Sequence, residues 1–156
     1  MKNILRLSTA TMLAICVLSI SLTAASAPNT FKSTPFKGRG KGQIVGLVPT
    51  QLGVEISAVG SGESTHLGRF EREEHILLNP ETGTFTGTIE FTAANGDVLW
   101  CSVTGGFTGP GIGEGTYTIT GGEGRFENAT GSADFNVVQS DPVNFTFDFS
   151  GTIDTN

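Results

Sequence analysis

The sequence has few of the residues that usually carry protein chemistry. Its 156 residues include two cysteines, two histidines, two methionines, one tryptophan and one tyrosine, and only 15% are charged. Two histidines are too few for a typical zinc site unless carboxylates join them. No serine lies in a G-x-S-x-G elbow, and Cys101 has no neighbouring histidine in sequence to activate it. We therefore expect no metal and no standard nucleophile.

A nucleotide site is also not indicated. Gly122-Glu123-Gly124 begins like a dinucleotide fingerprint, but Glu127 occupies the place of the last glycine and no helix is predicted after it. We expect no cofactor.

The sequence has one long apolar run, and it lies at the N-terminus. Lys2 and Arg6 lead into it, the run covers residues 7–22, and Ala25-Ser26-Ala27 follows as an A-x-A cleavage signal. This pattern predicts a secretory signal peptide over residues 1–27. A retained anchor is the alternative, but hydroxyl residues interrupt the run, which is shorter than the about 20 mainly apolar residues of a span. We expect export, to the periplasm or the medium, and no membrane association after cleavage.

Cleavage would leave a small acidic domain without a disulfide. From Pro28 onward there are 129 residues with a formal charge of −8, and Cys101 is their only cysteine. Such a surface repels nucleic acid, so no nucleic-acid partner is expected. Without a disulfide, stability must come from an apolar core. Residues 28–35 are polar and bounded by proline, which predicts a flexible arm before a single domain over residues 36–156.

Glycine, phenylalanine and alternating apolar and polar residues are abundant. Residues 84–92 show the clearest half-buried strand, and Asn95-Gly96 predicts a type I′ hairpin turn after it. Further turns are expected at residues 60–62, 79–83 and 141–142, with one long segment over 63–78 and a flexible connection over 109–115. The count is eight strands and no convincing helix. This predicts an all-β protein, an eight-stranded antiparallel up-and-down β-barrel, with an immunoglobulin-like β-sandwich as the alternative.

One stretch near the C-terminus is built as a turn between two alternating segments. It runs from residue 121 to 131, and four of its positions are glycine: Gly121, Gly122, Gly124 and Gly131. Glycine adopts positive φ without a Cβ clash, so the chain is expected to need unusual backbone geometry here. Phe126 and Ala129 are three residues apart, the spacing of one short helical turn. We expect Phe126 to cap one end of the barrel and Ala129 to make room for it.

This stretch resembles the G-G-x-G-x-F-x-x-A-x-G turn of plant dirigent proteins and of the wider allene oxide cyclase-like barrel group. The preceding residues 115–120 are similar too, and residues 65–70 resemble a segment of uncharacterised secreted bacterial proteins. The resemblance implies an eight-stranded barrel with an apolar cavity, in a family whose enzymes steer a reactive guest without a redox cofactor. It also implies a possible homo-oligomer. The charged cavity residues of the plant proteins have no aligned position in this sequence, so none is carried over.

Four residues are candidates for lining a cavity: His66, Tyr117, Phe135 and Phe147. Strand alternation turns Tyr117 inward with Ile119, and its hydroxyl then needs a partner, either a side chain or a guest. Phe135 and Phe147 lie on apolar faces, and His66 lies in the segment of the bacterial resemblance. Each has a purely structural alternative. Trp100 and Cys101 are adjacent on a predicted strand, so their side chains point to opposite faces and one of them faces inward. The alternation alone does not decide which.

Three functions follow as hypotheses. The first is an exported soluble barrel that binds a small hydrophobic or amphiphilic molecule in its interior. The second is a cofactor-free isomerase or cyclase, or a dirigent-type stereochemical guide. The third is a filled scaffold whose outer face binds another surface component. An ionisable group inside the barrel would favour the second, because acid-base catalysis needs one.

Overall fold

A computed structural model describes residues 33–155, and these form one closed barrel of eight antiparallel strands. The strands are β1 (Thr34–Thr50), β2 (Gly53–Ser64), β3 (Gly68–Leu78), β4 (Thr84–Ala93), β5 (Val98–Gly109), β6 (Ile112–Gly122), β7 (Thr130–Gln139) and β8 (Asn144–Asp154). The predicted signal peptide and residues 28–32 of the predicted arm lie outside the described residues. Thr34 and Pro35, the last two residues of that arm, belong to β1. The described part of the chain contains no helix long and apolar enough to cross a bilayer.

Every strand pairs with its neighbours in sequence, and the last pairs with the first. The closing ladder between β1 and β8 runs from Thr34 opposite Ile153 to Gln43 opposite Asn144. This confirms the predicted up-and-down barrel and excludes the sandwich. The physical reason is that short connections join antiparallel neighbours directly, and closure leaves few unpaired edges.

Aromatic rings from β8 fill much of the barrel, and glycines of β1 make room for them. Phe145, Phe147 and Phe149 all point inward and are buried. Their rings lie over Gly42, Gly40 and Gly38 of the adjacent strand, where any Cβ would overlap them. The missing side chains of β1 therefore shape the core as much as the phenylalanines do.

Gly40→Ala tests this packing. The added methyl would overlap the carbonyl oxygen of Ser61 and the ring of Phe147. We expect the free energy of unfolding to fall by about 1–3 kcal/mol, as in other overpacked cores. Gly106→Ala is the matched control, because the nearest atom to its added methyl is the Gly83 carbonyl oxygen at 3.5 Å. Urea denaturation of both variants measures the difference, and equal stability would contradict the packing argument.

Three predictions about turns and segment boundaries were wrong. Residues 60–62 do not form a turn, because Gly60 and Gly62 lie inside β2, where a Cβ would meet backbone atoms of β1. The chain reverses instead at residues 65–67, so residues 63–78 are not one segment. Residues 109–115 are not a flexible connection either. Only Pro110 and Gly111 lie between β5 and β6, and Gly111 takes a φ of 70° in that turn.

The hairpin between β4 and β5 forms where it was predicted, but its turn is not type I′. That type needs positive φ at both central residues. Gly96 has a φ of 88°, whereas Asn95 does not have positive φ. Four residues connect the strands, and the Gly96 N–H donates to the Ala93 carbonyl at 2.9 Å. In this four-residue loop, only Gly96 has positive φ.

The barrel has two different ends. At the first, the capped end, the 3-10 turn η1 (Gly124–Phe126) places Phe126 among fully buried residues, and the Ala129 N–H donates to the Phe126 carbonyl at 2.9 Å. Gly121, Gly124 and Gly131 have positive φ, and a Cβ on Gly122 would overlap the Val98 carbonyl. At the other end, the open end, Phe85 and Phe145 are buried, whereas four apolar residues that pack against the core are only partly buried: Ile44, Ile76, Leu78 and Val137.

Candidate functional site

The barrel interior contains two charged side chains, both from β3. Arg72 is 2% exposed and Glu74 is 8% exposed, and they are the only buried charged residues of the described chain. The alternation of β3 places them on the same face as Phe70, which is also buried. The two-residue period of the strand is therefore enough to place both charged side chains in the core.

Arg72, Glu74 and Tyr117 form one hydrogen-bonded group, the Arg72 cluster. The Arg72 Nε donates to Glu74 Oε1 at 2.9 Å, and Nη2 donates to the same oxygen. Nη1 donates to the Tyr117 hydroxyl at 3.2 Å. The guanidinium also lies over the ring of Phe147, with Cζ 3.8 Å from the ring centroid. These contacts meet the requirement that a buried charge be paired and hydrogen-bonded.

The cluster retains hydrogen-bonding capacity that residues 33–155 do not use. Glu74 accepts through Oε1, and no hydrogen bond from a described residue reaches its Oε2. Tyr117 accepts from Arg72, and its own hydroxyl proton goes to no described residue. One unused acceptor and one unused donor therefore belong to two side chains that both contact the Arg72 guanidinium.

Burial changes the ionisation of the cluster. It raises the pKa of Tyr117 to about 12, although the charge of Arg72 partly opposes the change. Burial by itself would lower the pKa of Arg72. The interactions with Tyr117 and Glu74 outweigh this effect and raise the Arg72 pKa above its ordinary value. At neutral pH the phenol keeps its proton and the guanidinium keeps its charge.

The titration of Tyr117 can be followed directly, because it is the only tyrosine of the chain. Phenolate absorbance is expected to rise with a midpoint near pH 12 in the folded protein and near pH 10 in urea. The raised pKa contributes stability that is complete below about pH 10 and is lost as pH rises toward 12. Tyr117→Phe should remove this contribution to alkaline unfolding. A folded-state midpoint near the urea value would contradict the buried position.

Cys101 faces inward on β5 and is 2% exposed, whereas Trp100 faces outward. Burial raises the pKa of the Cys101 thiol to about 12. The thiol is therefore protonated at neutral pH and is a poor nucleophile.

Among residues 33–155, no group of three potential metal ligands lies close enough to hold an ion.

Three of the four predicted cavity residues lie together in the interior. Phe135 stacks on Tyr117 with ring centroids 4.3 Å apart, and Phe147 lies under Arg72. His66 does not join them. It lies in the turn between β2 and β3 at the capped end, half-buried, with Nε2 3.1 Å from the Thr34 hydroxyl. His66 and His75 both fall within the predicted segment 63–78 but do not share a strand, because Gly68 takes a φ of 64° and ends the turn between them.

Arg72 and Glu74 were not proposed from the sequence, although a signal for them was present. Four polar residues in a row, Glu71 to Glu74, have the appearance of a solvated surface. Strand alternation continued from Phe70 would have placed Arg72 and Glu74 inward, with Glu71 and Glu73 outward. The structure shows this arrangement, and Glu71 and Glu73 are exposed.

Glu74 is the member of the cluster nearest the open end. β3 runs from the capped end toward the open end, so Glu74 lies one inward position beyond Arg72. Its side chain keeps 9% exposure, against 1% for Arg72. Ile76 and Leu78, which follow it, are only partly buried.

Cavities also lie on the outer side of the wall formed by β8, β1, β2 and β3. One of about 590 Å³ is bordered by exposed polar residues such as Lys41, Gln43 and Glu71, and Arg72 and Phe145 reach its floor. The interior itself is crowded with aromatic rings, with Phe91, Tyr117 and Phe149 within 5.8–6.0 Å of one another by ring centroid. A guest would therefore need these rings to shift.

No family model matches the chain, and no curated protein matches it. Among solved structures, the barrel is similar to the pterocarpan synthase dirigent protein GePTS1, with a TM-score of 0.54 and 14% identity over 80% of this chain and 92% of that chain. At this identity the likeness concerns the fold alone. The chain therefore has a dirigent-like eight-stranded barrel.

Proposed function

We propose that this protein binds a small hydrophobic or amphiphilic molecule inside its barrel, with the Arg72 cluster as the polar anchor. The observation that carries the proposal is an ion pair, with a phenol attached, in the middle of an aromatic core. Replacing a buried ion pair with apolar side chains is often neutral or stabilising, so folding alone gives little reason to keep one. Ionisable groups held in this way are frequent at functional sites.

The unused hydrogen-bonding groups suggest the chemistry of the guest. Glu74 Oε2 can accept a hydrogen bond and the Tyr117 hydroxyl can donate one, so a guest carrying a hydroxyl or a carbonyl group would be held by its polar end. Its apolar part would lie among the surrounding phenylalanine rings. The open end, where Glu74 keeps some exposure, is the expected entrance.

A second candidate is a cofactor-free isomerase or cyclase, or a dirigent-type stereochemical guide. The specific support is that a carboxylate and a protonated phenol contact the same guanidinium, which offers a proton acceptor and a hydrogen-bond donor in one cluster. The similar solved structure is a dirigent protein described as a pterocarpan synthase. We extend that activity to this chain only as a hypothesis.

The setting of this function is also proposed. The N-terminal pattern of residues 1–27 supports export, and the acidic charge argues against nucleic acid as a partner. The third possibility, a filled scaffold with an external partner, draws support from the crowded interior. A homo-oligomer is compatible with all three.

Native mass spectrometry of the protein purified from its own source tests the proposal. We expect a small molecule to copurify, and the double variant Arg72→Met with Glu74→Leu to lose it while staying folded. Val138→Ala, at an exposed position on the outer face of β7, is the control. If repeated preparations of the unaltered protein carry no guest, the filled scaffold replaces this proposal. Conversion of the recovered molecule on incubation with fresh protein would favour the enzyme over the binder.

A further inference from the structure

The outer wall of the barrel carries a second arrangement of functional side chains, centred on the only tryptophan. Trp100 points outward from β5 and is 39% exposed. Its Nε1–H donates to Glu90 Oε2 at 3.1 Å, and Glu90 is its direct partner on β4. This bond fixes the orientation of the indole while leaving much of the ring uncovered. The Trp100 patch is separate from the interior cluster, since the wall of the barrel lies between them.

Polar groups surround this ring in a shallow cavity of about 290 Å³. On the outer face it is bordered by Glu73, His75, Thr88, Glu90, Ser102 and Thr120. Glu73 and Glu90 are cross-strand partners, and like charges directly opposite each other are destabilising. Several hydrogen bonds donated to both carboxylates would offset that repulsion, which indicates a ligand rich in donors.

A β-bulge adjusts the sheet at this point. Trp100 pairs with Gly121 and Cys101 pairs with Ile119, so Thr120 is an extra residue on β6. Its hydroxyl donates to the Trp100 carbonyl at 3.2 Å. Bulges are frequent beside functional sites, where they redirect a side chain. Here the bulge brings Thr120 to the edge of the tryptophan cavity.

A row of hydroxyl groups continues from the patch around the barrel. The members are direct partners on successive strands, Thr88, Ser102, Thr118, Ser132 and Thr152. Neighbouring strands are about 4.8 Å apart, which is close to the length of one sugar unit. The row carries no charge, so it suits a neutral polymer of hydroxyl-bearing units.

We propose that the Trp100 patch binds a neutral polysaccharide. One sugar ring stacks its apolar face on the indole, and its hydroxyls donate to Glu73 and Glu90, in charge-assisted hydrogen bonds that are stronger than neutral ones. The hydroxyl row holds the following units. The two carboxylates disfavour an acidic polysaccharide, and the open cavity allows a chain to pass through rather than only its end.

Fluorescence titration tests this directly, because Trp100 is the only tryptophan of the chain. The probes are soluble mixed-linkage β-glucan and galactomannan as neutral polymers, polygalacturonate as an acidic polymer, and tetramethylammonium as a simple cation. We expect at least one neutral polymer to change the emission of the full chain and to retard it in affinity electrophoresis. Polygalacturonate and tetramethylammonium should do neither.

The variants make the outcome specific. Trp100→Ala is expected to weaken binding by about tenfold or more, as for other central aromatic contacts, and Phe107→Ala should bind like the unaltered protein. Glu73→Ala, at an exposed position, provides a second test should Trp100→Ala fail to fold, and it is also expected to bind more weakly. Retardation that persists in both variants would overturn the proposal. So would a response to the acidic polymer or the cation in place of the neutral polymers.

Discussion

Replacing Arg72 with methionine is expected to lower the free energy of unfolding by about 3–5 kcal/mol. The change leaves the Glu74 carboxylate in an aromatic core without the guanidinium that donates two hydrogen bonds to it. Tyr117 also loses its donor. Urea denaturation at neutral pH measures the effect.

The double variant Arg72→Met with Glu74→Leu is the informative comparison. Because both charges are removed together, stability should return to near that of the unaltered protein or exceed it. A double variant that stays as unstable as the single variant would show that the ion pair is needed for folding. That result would remove the main argument for a binding role, whereas a stable variant without a guest would support it.

Phe126→Ala is expected to lower the free energy of unfolding by about 3–5 kcal/mol, as for other fully buried phenylalanines. Phe126 is 0% exposed at the capped end, where Leu99 and Ile153 are equally buried. The 3-10 turn holds it there, and Arg125 Cζ lies 4.9 Å from the centroid of its ring.

Phe107→Ala is the control for this variant, since Phe107 is 41% exposed on the open side of the barrel. Its replacement should change stability by much less than that of Phe126. Thermal and urea unfolding of both variants would give the comparison. An unchanged melting temperature for Phe126→Ala would show that this residue does not close the barrel.

The two proposed sites lie on opposite faces of the same wall. Trp100 and Cys101 are neighbours in sequence, yet the Trp100 side chain is exposed on the outer face and the Cys101 side chain is buried in the core. Substitutions in the Arg72 cluster should therefore leave polysaccharide binding unchanged, and Trp100→Ala should leave the interior guest in place. Additivity of this kind is expected for sites without shared partners.

Local sequence determined much of the fold. Alternation turned Tyr117, Phe135 and the three phenylalanines of β8 inward, because successive side chains on a strand point to opposite faces. The glycines of residues 121–131 marked a turn that needs positive φ at three positions. These features depend on neighbours in sequence, so they could be predicted without a structure.

Tertiary structure alone decided the candidate site. Arg72 and Tyr117 are 45 residues apart, and only closure of the barrel brings the guanidinium to the phenol. The inward place of Arg72 and Glu74 conflicted with their polarity, since charged residues are seldom buried unless a partner is present. Pairing with β1 explains why Gly60 and Gly62 belong to a strand, because the backbone of β1 passes too close for a side chain. Sequence specified which face each residue takes, and the meeting of distant strands specified what each face contacts.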